Sequence, residues 1–130
     1  MTNDLLPPGI GLRAPHFRAI EAARPSGLWL EVHAENFLHQ GPALSRLKSL
    51  RRDYALSLHG VGLSLGSAKG IDKAHAQAFA KLARETEPFL VSDHLWWSTI
   101  DGVYLNDLLD RKSTRLNSSH VSESRMPSSA

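Results

Sequence analysis

Cysteine is missing altogether from the 130 residues of this chain. Disulfides and thiolate ligands are therefore excluded, and any metal would be held by His, Asp, Glu or Asn, a donor set that leans towards iron, manganese, zinc or magnesium. Long apolar runs are missing too. No segment approaches the roughly 20 residues that cross a bilayer, and the start, MTNDLLPPG, has neither the basic beginning nor the apolar stretch of a secretory signal. A cytoplasmic chain with no membrane partner is expected. There is no large excess of one charge: the formal net charge is +2. Arg111, Lys112, Arg115 and Arg125 near the end raise the isoelectric point, and no basic stripe interleaved with aromatics occurs elsewhere, so no nucleic-acid partner is expected. What is present, 42% hydrophobic and 22% charged residues over a length that suits one domain, can bury a core.

Strand and helix patterns alternate along the chain. After a flexible start over residues 1–8, GIGLR at 9–13 reads as a strand, and Pro15 occupies a favoured first-turn helix position. Phe17, Ile20 and Ala23 then recur at helical spacing as far as Pro25. Residues 28–34 alternate: Leu28, Leu30, Val32 and Ala34 share one face, and Trp29, Glu31, His33 and Glu35 share the other. Gly41-Pro42 opens a helix with Leu44, Leu47 and Leu50 as its apolar stripe and Arg46, Lys48, Arg51 and Arg52 on its wet side. Residues 55–59 form the next strand, which runs into the glycine-rich loop containing Gly60, Gly62 and Gly66. Asp72 caps a following helix whose inward positions are Ala76, Phe79, Ala80 and Ala83, closed by Pro88. Residues 89–93 complete the series, with Leu90, Ser92 and His94 on one face and Phe89, Val91 and Asp93 on the other. Residues 101–109 still alternate and read as a loop leading towards another element.

Successive strands thus end in His33, His59 and His94 on the face that carries the polar residues. In a series of βα units the strands run parallel, so these histidines gather at one edge of the sheet. A histidine there is a candidate ligand or acid/base, with a hydrogen-bonded structural role as the alternative. Four strands alternating with helices, without a dinucleotide fingerprint, point to an α/β chain forming the amino-terminal half of a (β/α)8 TIM barrel, whose active sites lie at the carboxyl ends of the strands. A full barrel takes about 250 residues. A flavodoxin-like open sheet suits the length better, but gives no reason for Glu31, His33 and Glu35 on one face. Residues 110–130 change character: serines and scattered charges replace apolar residues, as in a disordered tail. That stretch also resembles translated sequencing-adapter read-through, so it is expected to be non-native, and His120 is set aside.

The motifs GIGLR from Gly9, LEVHAENF from Leu30, SLHGVGLSLGS from Ser57, VSDHLWWS from Val91 and YLNDLL from Tyr104 occur in one order. With them, residues 9–109 resemble the amino-terminal half of the MbnB-like multinuclear non-haem iron-dependent oxidative enzymes. These are TIM barrels typified by the methanobactin-biosynthesis enzyme and long grouped as uncharacterised proteins. The resemblance implies two or three iron ions and dioxygen as co-substrate. It implies as partners a ribosomally made precursor peptide, often oxidised at cysteine, and a protein that presents it. His59 and His94 match positions that look like iron ligands, and the other ligands are expected beyond Leu109. Glu31, His33, Glu35, Asn36, Asn106 and Asp107 are candidates for orienting the histidines or meeting substrate. Trp96 and Trp97 are expected at the barrel rim, where one could line a peptide groove. His16, His39 and His75 are expected to be solvated. Two other expectations stand beside this one: a divalent-metal sugar isomerase or endonuclease of the xylose-isomerase-like barrels, or a truncated fragment without activity.

Overall fold

Proline and glycine punctuation sets where the elements begin and end. The computed structural model describes residues 6–100 and 103–110. Its order is β1 (Gly9–Gly11), α1 (Phe17–Ala23), β2 (Trp29–His33), α2 (Pro42–Leu50), β3 (Leu56–Gly60), α3 (Lys73–Thr86) and β4 (Leu90–Asp93), followed by β5 (Trp96–Ile100) and β6 (Val103–Asp110). Short 3-10 turns follow β1 at Ala14–His16 and β2 at Ala34–Phe37. α1 and α3 end where Arg24 and Glu87 take left-handed φ values of 42° and 44°, each returning its N–H to a carbonyl four residues back. Pro42 starts α2 at a position where the missing N–H costs nothing.

β1 to β4 form a parallel sheet in sequence order, with Leu30 beside Leu56, Val32 beside Leu58 and Leu58 beside Val91. This is the arrangement of half a TIM barrel, an α/β fold. The side facing the helices is the core. Leu30, Val32, Leu56 and Leu58 meet Phe17 and Ile20 of α1, Leu44, Leu47 and Leu50 of α2, and Phe79 and Leu82 of α3. Each such side chain contributes roughly 1.5–3 kcal/mol by leaving water. The opposite face carries Trp29, Glu31, His33, Ser57, His59 and Ser92. At its amino-terminal end the Trp29 indole donates to the Pro7 carbonyl at 2.8 Å and meets Phe89 edge to face at 5.4 Å.

Several expectations are corrected. Of the alternating stretch expected to be a loop leading onward, residues 103–109 lie instead in β6, antiparallel to β5. In α3 the buried stripe is Phe79, Leu82 and Thr86 with Ala83 beside it, and Ala80 is exposed. Ala23 is exposed as well, because α1 ends there. Phe89 precedes β4, stays exposed and meets Trp29 edge to face, away from the helix side on which alternation put it. Residues 1–5, 101–102 and 111–130, including His120, lie outside the described residues. No helix among the described residues is long and apolar enough to cross a membrane.

Asp72 caps α3 as expected: its Oδ1 accepts from Ala74 N at 2.8 Å and His75 N at 3.2 Å. Asp72→Ala is therefore expected to cost about 0.5–2 kcal/mol, read as a lower midpoint in urea denaturation. Asp72→Asn, which keeps the acceptor oxygen, should retain most of that stability.

Candidate functional site

The parallel register brings three polar positions into one row, because His33 pairs with His59 and His59 pairs with Ser92 at the carboxyl ends of β2, β3 and β4. The His33 and His59 rings are 5.6 Å apart at 60°. His94, just after β4, turns back over the row and meets His59 with ring centroids 4.7 Å apart and Nε2 to Nε2 at 2.9 Å. The far nitrogen of His59, Nδ1, lies 2.9 Å from Ser92 Oγ. His94 is fixed differently. Its ring stacks on Trp96 at 3.7 Å and 14°, and its backbone N–H donates to Asp93 Oδ1 at 2.6 Å.

Two imidazole nitrogens at 2.9 Å can share one proton in an N–H···N bond, or aim two lone pairs at one cation. Neighbouring ligands at right angles on a first-row divalent ion, each bonded at about 2.1 Å, are separated by about 3 Å, so the observed spacing fits the second arrangement. A hydrogen bond from the far nitrogen of a ligating histidine is also what outer-shell orientation requires, and Ser92 Oγ stands in that place. Among the described residues no group of three or more His, Asp or Glu side chains is arranged to hold an ion. This part of the barrel thus offers a pair of donors.

The other candidates are distributed around that pair. Glu31 lies on the same inner face, where Ser57 Oγ donates to its Oε2 at 3.4 Å. His33 is exposed at the end of the row. Glu35 leaves the row in the 3-10 turn and reaches the glycine-rich loop: its Oε1 accepts from Val61 N and Gly62 N, both at 2.8 Å. Asn36 instead lines a cavity of about 330 Å³ with Leu12, Phe17, Phe37 and Arg46. Asn106 and Asp107 fall in β6, and their side chains lie outside the described residues. Trp96 donates its indole N–H to Val61 O at 3.1 Å, and Trp97 is half-buried.

His16 and His39 are exposed, as expected, but His75 is not simply solvated. It is partly buried with Nε2 3.5 Å from Glu35 Oε1, too long for a strong hydrogen bond. Its position on the first turn of α3, fixed by the Asp72 cap, turns it towards the loop. Asp93 is the other residue that sequence reading passed over. Burial pushes its carboxyl above the ordinary value and the nearby Glu35 charge adds to this, against N–H groups of His94 and Leu63 that favour the ionised form.

These strand-end residues can now be set beside known proteins. The sequence profile of a family described as RiPP precursor modification enzyme MbnB/TglH/ChrH matches residues 7–125. The chain belongs to this family. Among similar proteins, a UPF0276 protein of Chromobacterium violaceum is 46% identical over 121 residues, covering 90% of this chain and 44% of that protein. UPF0276 proteins of Caulobacter vibrioides and Vibrio parahaemolyticus are 44% and 43% identical, covering 82% and 78% of this chain but 39% and 35% of their own lengths. The chain therefore spans less than half the length of the curated relatives it matches.

Proposed function

We propose that the full-length protein is an iron-dependent, dioxygen-using enzyme that oxidatively modifies a ribosomally made precursor peptide, often at cysteine, brought to it by a peptide-presenting partner protein. In this reading His59 and His94 supply two imidazole ligands to a site of two or three irons, and the remaining ligands come from the rest of the barrel. The observation that carries the reading is the His59–His94 pair, Nε2 to Nε2 at 2.9 Å, at the carboxyl ends of parallel strands in a family described by RiPP precursor modification.

Bound iron with open coordination positions supplies sites for dioxygen and substrate and a route for electron transfer. The protein's own residues prepare that site. Ser92 holds Nδ1 of His59, which leaves Nε2 as the lone-pair nitrogen when Oγ accepts the Nδ1 proton. Trp96 restricts rotation of His94 by lying parallel to it. Glu31, beside Ser57 on the inner face, is a carboxylate below the imidazoles that can hold a proton or orient water.

The test is to prepare the full-length protein with its partner and to measure metal content, oxygen uptake and the mass of a precursor peptide encoded beside it. Iron at two or three ions per chain, with peptide mass change that depends on oxygen, is the expected result. Stoichiometric zinc or manganese with no oxygen uptake would overturn the proposal, and sugar isomerisation in that form would favour the xylose-isomerase-like alternative.

A further inference from the structure

The loop after β3 is gripped by a carboxylate from the neighbouring β2 side. Glu35, from the turn after β2, accepts from Val61 N and Gly62 N at 2.8 Å each. Two successive amides of one loop are thus filled by one acidic side chain of the same chain. Peptide N–H groups presented in a row form a concave anion site, and here the occupant is internal. The carbonyl of Val61 is held as well, by the Trp96 indole N–H.

The loop packs closely against His75 and Glu35 at Gly62. A Cβ at Gly62 would lie 2.9 Å from Cε1 of His75 and 3.2 Å from Glu35 Oε1. Glu35 is also not one of a group of three donors with the paired histidines. Its second oxygen, Oε2, is buried without a hydrogen-bond partner among the described residues, a cost that bonds through Oε1 must offset. A carboxylate kept under those conditions at a strand end calls for a role.

We propose that Glu35 is a positioning residue: it clamps the amides of Val61 and Gly62, and through that loop it sets the spacing of the His59 and His94 imidazoles. The connection is physical at each end. His59 is two residues before the clamped Val61, while His94 follows Asp93 and stacks on the Trp96 that bonds Val61. The loop is the shared base of both rings. This inference rests on the reading of His59 and His94 as metal ligands, and the measurements below separate the two.

In the full-length protein, Glu35→Ala removes the acceptor, whereas Glu35→Gln keeps an oxygen for both amides. Metal-free samples report the clamp itself: Glu35→Ala should speed hydrogen exchange at Val61 and Gly62 about tenfold or more, and Glu35→Gln should leave it near the parent rate. Metal titration reports the consequence. Affinity for iron(II) should fall about 10–100-fold in Glu35→Ala and recover in Glu35→Gln. Unchanged exchange at both amides in Glu35→Ala would overturn the clamp. Faster exchange with unchanged metal affinity would overturn the positioning role, provided that His59→Ala does weaken binding. If His59→Ala leaves affinity unaltered too, the ligand reading has failed, and with it the positioning role, while the exchange data still decide the clamp.

Discussion

On the proposed function, His59→Ala in the full-length protein is expected to lower peptide oxidation by more than about 100-fold and to leave less than the full complement of iron. The bound rests on a comparison: replacing an outer-shell partner of a metal ligand typically costs 10–100-fold, and removing the ligand itself should cost more. His59 also stands at the centre of the cluster, touching His33, Ser92 and His94, so no neighbouring donor can take its place without moving a strand. Ser92→Ala, which spares the ring and deletes only the Oγ contact, should give a smaller loss. Iron content by elemental analysis and single-turnover mass change of the peptide check both. A His59→Ala protein that keeps its iron and turns over normally would remove the paired imidazoles from the site.

Gly60→Ala is expected to destabilise the fold by about 1–3 kcal/mol, the usual cost of forcing extra volume into a packed interior. Gly60 is the last residue of β3, a strand paired on both sides, so its backbone cannot retreat. A Cβ there would run into Asp93 Oδ2 and lie 2.7 Å from Cε2 of Phe79. The displaced Asp93 carboxylate would loosen its bond from His94 N, which extends the damage to the candidate site. Gly11→Ala is the matched control, because its Cβ would meet nothing within 4 Å. Urea midpoints followed by circular dichroism should separate the two, and equal midpoints would show that the Gly60 contact relaxes freely.

The four parallel strands and their helices were legible because two periods, 2 and 3.6, alternate between proline and glycine breaks. Leu44, Leu47 and Leu50 gave α2 its buried stripe without ambiguity. The face of α3 was harder: alanine is small enough to lie on either side, so Ala80 misled while Leu82 and Thr86 were passed over. For the β5–β6 pairing a signal was present, since Asp101-Gly102 between two alternating runs is a strong hairpin cue. It was outweighed by the βα rhythm before it. In the site, the row of His33, His59 and Ser92 followed from strand parity and parallel pairing, whereas His94 meets His59 only because the chain turns back after β4. The reach of Glu35 to backbone amides 26 and 27 residues later did not follow, because a bond to main-chain N–H leaves no mark on residue type. His75 stayed hidden for a similar reason: it lies on a helix, and only the angle at which α3 meets the loop aims it at Glu35.

Trp29 bears on the direction of approach. Its indole is anchored to Pro7 and meets Phe89 edge to face at the amino-terminal ends of the strands. On the proposed function, dioxygen and peptide would then both approach the imidazoles from the carboxyl ends, and ordered kinetics, with the larger reactant admitting or delaying the smaller, is the expected sign of that shared route.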